Sequence, residues 1–91
     1  MEFPTPDLSG FVVYGRTGCK FCDKVKNLLS EYEHEYKYIN CDEYILQNRD
    51  AFRQFIYSLA KVNHNTFPMV FFCGKFIGGY IETVNLMSGS P

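Results

Sequence analysis

The feature that most constrains the fold is a pair of cysteines, Cys19 and Cys22, which lie between an apolar run and an amphipathic stretch. The apolar run, residues 11–14, ends at Gly15 and is typical of a buried strand. From residue 21 onward, apolar side chains recur at the spacing of a helix. The strand therefore leads to Cys19, and Cys22 falls in the first turn of the helix, whose positive N-terminal end favours thiolates.

A second strand and a second helix follow. Residues 36–39 predict a strand, and a strand–helix–strand unit this short implies parallel pairing with a right-handed crossover. Asp42 is expected to cap a long helix over residues 42–62, because Asp is a favoured capping residue. A break in this helix is expected near residues 48–50, and Asn63 is expected to end it in a left-handed conformation.

The last third of the chain predicts a hairpin and a short helix. Residues 69–72 and 75–77 are strand-like and flank Cys73 and Gly74, which suit a two-residue turn. A helix is expected from about residue 82 to 87. The element order β-α-β-α-β-β-α predicts an α/β (α+β) fold, a small mixed sheet of four strands flanked by helices.

Length and composition limit the classes of protein to consider. The 91 residues are expected to form a single domain, with 1–10 a loose leader and 88–91 a loose tail. The net charge of −1 gives no reason to expect nucleic acid or an anionic membrane as a partner. Because no secretory signal or membrane-spanning run is visible, a cytoplasmic protein is expected.

The cysteine pair indicates thiol–disulfide exchange. A Cys-x-x-Cys near a βαβ pattern is the signature of thioredoxin-type redox proteins, with Cys19 as the nucleophile and Cys22 as the resolving thiol. Half of a zinc site is the alternative, but Cys41 and Cys73 are single and belong to different elements. No metal is therefore expected, and Cys41 and Cys73 are interpreted as a small buried residue and a surface thiol.

Three further features allow a functional and an ordinary interpretation. A cis Pro68 would leave the backbone before it free to bind an extended peptide, whereas a trans proline would simply begin a strand. Residues 78–82 can form a carboxylate-binding nest at a helix start, or a plain glycine turn. Arg16 and Lys20 bracket Cys19 with positive charge, or are solvated surface residues. His34 and His64 have no partner motif, and no chemistry is assigned to either of them.

Together these motifs resemble those of glutaredoxins. The segments that carry the resemblance are Arg16-Thr17-Gly18-Cys19-Lys20-Phe21-Cys22, Thr66-Phe67-Pro68 and Gly74-Lys75-Phe76-Ile77-Gly78-Gly79-Tyr80. They occur in the family's order and spacing, and the resemblance covers roughly residues 10–87. It implies the thioredoxin fold with Pro68 cis, glutathione as the reductant, and no tightly bound cofactor.

The resemblance also implies a glutathione groove. Its residues by position are Arg16, Lys20, Phe21, Thr66, Phe67, Pro68, Gly79, Tyr80, Ile81 and Glu82. In that groove the backbone of Phe67 pairs with the cysteinyl part of glutathione. The N–H groups of Tyr80 and Ile81 hold the γ-glutamyl carboxylate, and Glu82 meets the amino group.

Several positions depart from the usual family pattern. Lys20 and Phe21 replace Pro-Tyr, Phe67 replaces Val, and Glu82 replaces Asp. Asn65 stands where a basic residue often precedes the Thr, which weakens the grip expected on the glycyl carboxylate.

The activity implied is glutathione-dependent reduction of protein disulfides and protein–glutathione mixed disulfides through Cys19 and Cys22. The expected role is electron transport in cell redox homeostasis, by a monomer, with ribonucleotide reductase as a family-level substrate. Two alternatives stay open. One is a thioredoxin-like electron donor reduced by a flavoprotein reductase. The other is a [2Fe–2S] carrier that uses Cys19 and glutathione, because Lys20 replaces the proline.

Overall fold

A computed structural model describes residues 2–89, so Met1 of the expected leader and the last two residues of the expected tail lie outside the described residues. The elements in chain order are β1 (Phe11–Gly15), α1 (Lys20–Glu31), β2 (Tyr36–Asn40), α2 (Asp42–Ala60), β3 (Met69–Phe72), β4 (Lys75–Gly78) and α3 (Tyr80–Met87). This order confirms the predicted one. Over the described residues, no helix has the length and apolar character that crossing a membrane requires.

The four strands form one sheet in the order β2-β1-β3-β4. β1 pairs with β2 in parallel, and the β1–β3 and β3–β4 pairs are antiparallel. The parallel pair is the one expected from the short strand–helix–strand unit. The sheet is therefore mixed, and β1 lies inside it with a neighbour on each side.

Side chains of β1 alternate between the two faces of the sheet, and each face has its own apolar cluster. The cluster under α2 consists of Val12, Tyr14, Ile39, Cys41, Phe52, Ile56, Met69 and Phe71. The cluster under α1 consists of Phe11, Val13, Val25, Leu29 and Val70. Because helices cover both faces, every residue of β1 is buried. The end of this strand is thus a fixed point from which the loop to α1 starts.

Helix α2 is broken where the sequence predicts a break. Asn48 has non-helical angles (φ −162°, ψ 92°), and its Oδ1 accepts a hydrogen bond of 3.0 Å from the N–H of Ala51. Asn48 therefore caps the second part of the helix. The predicted end was wrong: the left-handed residue is Lys61 (φ 65°), not Asn63. The Lys61 N–H donates to the carbonyl of Tyr57 at 2.8 Å, which closes the last turn earlier.

Two turns shape the C-terminal third. Cys73 (φ 51°) and Gly74 (φ 80°) are both left-handed, as the predicted two-residue hairpin requires. Helix α3 begins at Tyr80, two residues before the predicted start, and Gly79 holds its N-cap position. The earlier start is stabilised by Glu82, whose Oε1 accepts the Gly79 N–H at 2.7 Å.

The segment before β1 has no helix or strand in its described part, but it is not loose throughout. The ring of Phe3 lies 5.4 Å from that of Phe52 and 5.1 Å from that of Phe55. The hydroxyl of Tyr14 donates to the carbonyl of Pro4 at 2.6 Å. The expectation of a loose leader is corrected here, because an aromatic side chain anchors the segment against α2.

Candidate active site

The cysteine pair lies at the junction between the loop that follows β1 and the start of α1. Gly18 (φ +72°) turns the loop, and Cys19 occupies the N-cap position of the helix. Cys19 and Cys22 form a disulfide with their Cα atoms 5.2 Å apart, inside the usual range for such bonds. Cys22 is fully buried, whereas Cys19 is half-buried. An external thiol therefore meets Cys19 before Cys22.

A backbone donor points at the more exposed of the two sulfurs. The N–H of Cys22 points at Cys19 Sγ from 3.1 Å. Helix N-terminal N–H groups carry a partial positive charge, and such donors stabilise a thiolate over a thiol. The location of Cys19 at this end of α1 thus favours its ionised form once the disulfide is reduced.

The loop that presents Cys19 is tied to the start of α2. The Thr17 N–H donates to Asp42 Oδ1 at 3.0 Å, and Asn40 Nδ2 donates to Thr17 Oγ1 at 3.2 Å. Asp42 was expected to cap α2; instead Cys41 holds the cap position, and the Asp42 carboxylate is taken by Thr17. The hydrogen bonds from Thr17, and then the charge of Arg16, lower the pKa of Asp42. Asp42 is therefore a support of the loop that sequence reasoning missed.

A cavity of about 590 Å³ opens beside the disulfide. Its lining residues are Arg16, Gly18, Cys19, Lys20, Phe21, Ile45, Arg49, Phe52, Arg53, Ile56, His64, Asn65, Thr66, Phe67 and Met69. Arg16, Lys20, Phe21, Thr66 and Phe67 are among the residues predicted for the site. Arg49 and Arg53 of α2 are not, although their spacing of four residues on a helix indicates a shared face.

The segment before β3 forms one wall of this cavity. The Phe67–Pro68 peptide bond is cis, which confirms the expectation from the family resemblance. The Phe67 ring stacks on Phe52 with centroids 6.3 Å apart. The guanidinium carbon of Arg16 lies 5.9 Å from the centre of the Phe67 ring, within cation–π range. Aromatic packing thus fixes this wall between α2 and the loop that carries Cys19.

His64, to which the sequence assigned no chemistry, lies between two of the predicted site segments. Its Nε2 is 3.4 Å from the carbonyl oxygen of Pro68 and 3.5 Å from Thr66 Oγ1. Because a carbonyl only accepts, the bond to Pro68 requires the proton on Nε2. The His64 ring packs edge-on against Phe76 at 5.1 Å, and its Cε1 lies 3.6 Å from where a Cβ on Gly79 would be. His64 therefore connects the proline segment, residues 66–68, to the glycine turn, residues 78–79.

The glycine turn adjoins the cavity but is not part of its lining among the residues described. Gly78 has φ +134°, and a Cβ there would lie 2.6 Å from Glu82 Cγ. A Cβ on Gly79 would find ordinary contacts, the nearest at 3.5 Å, so Gly78 is the glycine that the backbone requires. Tyr80 and Ile81 open α3, where N–H groups have no partner inside the helix.

An exposed aromatic surface lies on the α3 side of the disulfide. The rings of Phe21 and Tyr80 are 5.7 Å apart, and Lys24 Nζ lies 5.1 Å from the first and 5.7 Å from the second. Phe21 is 48% exposed and Ile81 is 61% exposed. The fold thus brings Phe21, which lies between the two cysteines in sequence, next to Tyr80 at the start of α3. Both residues were predicted for the same binding groove.

The remaining cysteines are outside this arrangement. Cys41 is fully buried, its Sγ donates to the carbonyl of Ile39 at 3.5 Å, and burial is the main cause that raises its pKa to about 12. Cys73 is exposed in the hairpin turn. Both locations agree with the interpretation of a small buried residue and a surface thiol.

The fold and the site define a class of protein: a thioredoxin-like fold with a redox-active cysteine pair at the start of its first helix. The sequence model of the Glutaredoxin family matches residues 11–77. The chain belongs to the glutaredoxin family.

Two curated relatives illustrate the match. The chain is 32% identical over 77 residues to Glutaredoxin-2, mitochondrial, of Bos taurus, covering 82% of this chain and 45% of that protein. It is 35% identical over 82 residues to Glutaredoxin-C4, chloroplastic, of Oryza sativa subsp. japonica, covering 89% of this chain and 58% of that protein. The chain thus spans about half the length of these two relatives.

Solved structures of glutaredoxins also resemble this chain in fold. The holo form of glutaredoxin C1 from Populus tremula x tremuloides superposes with a TM-score of 0.72 at 29% identity, covering 90% of this chain and 77% of that one. The buckwheat glutaredoxin–glutathione complex gives a TM-score of 0.68, also at 29% identity, covering 88% of this chain and 70% of that one.

Proposed function

We propose that this protein is a glutathione-dependent oxidoreductase that reduces protein disulfides and protein–glutathione mixed disulfides through Cys19 and Cys22. The observation that carries the proposal is the disulfide between these residues, half-buried at one sulfur and adjoined by a cavity with basic side chains. Family membership and the glutathione complex of the buckwheat relative support glutathione as the reductant.

The first step is attack by the reduced Cys19 thiolate on a sulfur of the substrate disulfide. A bond forms between Cys19 Sγ and that sulfur, and the substrate's second sulfur leaves as a thiolate. The Cys22 N–H and the N-terminus of α1 stabilise the attacking thiolate. The half-buried location of Cys19 leaves one side of its sulfur open to the substrate.

The second step closes the disulfide seen in the structure. The Cys22 thiolate attacks Cys19 Sγ, and the remaining substrate sulfur is released as a thiolate, so that the substrate has gained two electrons. Two glutathione molecules then return the pair to the dithiol and become glutathione disulfide. A substrate carrying glutathione instead transfers it to Cys19, where a second glutathione removes it without Cys22.

Glutathione binds, in this proposal, along the wall formed by Phe67. Its γ-glutamyl carboxylate accepts hydrogen bonds from the N–H groups of Tyr80 and Ile81, since anions bind favourably at the N-terminal end of a helix. One Glu82 oxygen already accepts the Gly79 N–H, and its other oxygen meets the amino group. The glycyl carboxylate lies in the cavity near its basic side chains.

Turnover of a glutathionylated peptide with glutathione, glutathione reductase and NADPH tests this function. NADPH consumption that requires both the protein and glutathione is the expected result. Turnover only with thioredoxin reductase would favour the thioredoxin-like alternative, and visible absorption after anaerobic reconstitution with iron and sulfide would favour the cluster carrier. The cytoplasmic location, the monomeric state and ribonucleotide reductase as a substrate stay predictions.

A further inference from the structure

A series of aromatic contacts connects the segment before β1 to the wall of the cavity beside the disulfide. The ring of Phe3 packs edge-on against the ring of Phe52, with the two centroids 5.4 Å apart. The Phe52 ring in turn stacks on that of Phe67, and the planes of these two rings differ by only 15°. Phe52 is 2% exposed and, like Phe67, lines the cavity. One buried ring therefore contacts both the segment before β1 and the cavity wall.

The location of Phe3 is fixed by several contacts. Its ring also lies 5.6 Å from that of Tyr44 and 5.1 Å from that of Phe55, which belong to the parts of α2 before and after its break. The next residue, Pro4, accepts a hydrogen bond of 2.6 Å from the hydroxyl of Tyr14, a buried residue of β1. The segment before β1 thus holds one aromatic ring against both parts of α2.

Phe67 connects this packing to the site. The guanidinium carbon of Arg16, three residues before Cys19, lies 5.9 Å from the centre of the Phe67 ring. In the proposed function, glutathione binds along the wall that Phe67 forms. Valine is usual at this position in the family pattern, and a valine has no ring to stack on Phe52. The aromatic connection is therefore a property of this chain and not of the usual family pattern.

We propose that Phe3 is a positioning residue of the active site, which acts by holding the Phe52 ring on which Phe67 stacks. The proposal rests on the proposed function for the identity of the ligand, glutathione. Because core side chains are closely packed, removing the Phe3 ring leaves space into which Phe52 can turn. Phe67 then loses a fixed partner, and a less ordered wall binds glutathione more weakly, since its disorder must be removed on binding.

Steady-state kinetics of Phe3 variants test the proposal, in the reductase-coupled assay with glutathione varied at a saturating glutathionylated peptide. Phe3→Ala should raise KM for glutathione about threefold to tenfold, as the loss of an aromatic contact allows. Because Phe3 packs on α2 and Cys19 lies at the start of α1, kcat should stay within about twofold. Phe3→Val should raise KM less, and Phe3→Leu should keep it within about twofold. The series also gives an answer if the smallest side chain prevents folding.

Phe72→Ala is the matched control. Phe72 is 37% exposed, and its ring also packs against that of a buried phenylalanine, Phe11, at 4.5 Å. It is the last residue of β3, whereas Phe67 precedes the first residue of that strand. Phe72→Ala should lower the free energy of unfolding in urea, as Phe3→Ala does, but should keep KM for glutathione within about twofold. The comparison separates a loss of stability from a change in the site.

A double-mutant cycle with Phe67 tests whether Phe3 acts through the stacked rings. In Phe67→Val the ring that stacks on Phe52 is absent, so adding Phe3→Ala should change KM by less than about twofold. If Phe3 only stabilised the fold, Phe3→Ala would raise KM by the same factor in both backgrounds, because independent effects on free energy add.

The possible results separate this proposal from the function on which it rests. If the Phe3 variants keep KM, or if Phe72→Ala raises it equally, Phe3 is a structural residue only, and the proposal is wrong while the proposed function stands. Equal effects of Phe3→Ala in the original and Phe67→Val backgrounds would likewise overturn it. If the original protein gives no glutathione-dependent turnover, the proposed function fails, and this proposal fails with it.

Discussion

Substitution of His64 by Phe should weaken glutathione binding, whereas substitution by Gln should not. His64→Phe keeps an aromatic ring against Phe76 but removes the N–H that donates to the Pro68 carbonyl. His64→Gln removes the ring and keeps a side-chain N–H donor. The pair of variants thus separates the hydrogen bond from the aromatic packing.

The size of the effect follows from the geometry. A hydrogen bond contributes about 0.5–1.5 kcal/mol net, and the 3.4 Å distance at His64 is longer than the usual 2.9–3.0 Å. The low end, about 0.5–1 kcal/mol, corresponds to a twofold to fivefold rise in KM for glutathione, at about 1.4 kcal/mol per factor of ten. Because the contacts of His64 are with Thr66, Pro68 and Phe76 and not with the sulfurs, kcat should change little.

The measurement is the reductase-coupled assay with glutathione varied at a fixed, saturating glutathionylated peptide. His34→Phe is the matched control, because the His34 ring also packs edge-on against an aromatic ring, that of Phe11 at 5.2 Å. His34 follows the C-terminal end of α1, away from Cys19 at the N-terminal end, so its variant should keep both KM and kcat.

Two outcomes would refute the reasoning about the donor. If His64→Gln raises KM while His64→Phe keeps it, the ring packing against Phe76 is what positions the proline segment. If His34→Phe raises KM as much as His64→Phe does, the change reflects general destabilisation rather than the site.

Three further predictions test the site and its supports. Cys19→Ser should abolish all exchange, while Cys22→Ser should still remove glutathione from mixed disulfides in the coupled assay, because only a protein disulfide needs the internal resolving thiol; activity of a folded Cys19→Ser would contradict this. Gly78→Ala should lower the free energy of unfolding in urea by about 1–3 kcal/mol, and Gly79→Ala by less than about 1 kcal/mol, because only the former residue has a left-handed φ and a steric clash; equal losses would contradict the geometry. The pKa of Asp42 is lower in the folded protein than the value of about 3.9 expected for an unfolded chain, so its carboxylate stabilises the fold at pH values above about 3.9. This stabilisation is lost as the pH falls through the pKa of the folded state. The difference in urea midpoint between the original protein and Asp42→Asn should thus be largest near neutral pH and shrink below about pH 4; a constant difference would exclude ionic support of the loop.

Elements with a clear local pattern could be read from the sequence. The continuous apolar run of β1 and the helical spacing after Cys22 are properties of neighbouring residues, so their bounds and the location of the cysteine pair were predicted well. The hairpin was also predictable, because Cys73-Gly74 separates two strand-like runs by the length that a tight turn requires. Family resemblance, rather than local pattern, supplied the cis bond before Pro68.

The errors at Asp42 and His64 concern side chains whose partners are distant in sequence. Asp is a residue type favoured at helix caps, but the carboxylate of Asp42 accepts a hydrogen bond from the N–H of Thr17, 25 residues earlier in the chain. His64 has no motif around it, and its role depends on a turn that only the folded sheet brings near. The helix end moved from Asn63 to Lys61 because closing the last turn outweighed the local preference of Asn for a left-handed conformation.

The break in α2 makes the two parts of that helix rotationally independent. In one continuous helix, each added or deleted residue turns everything after it by about 100°. Because Asn48 is non-helical and starts a new segment with its own cap, a length change just before it can be absorbed in its backbone. Phe52 then keeps its direction into the core and Arg53 its direction into the cavity. The part of α2 that supports the cysteine loop and the part that presents the arginines can therefore vary in sequence separately.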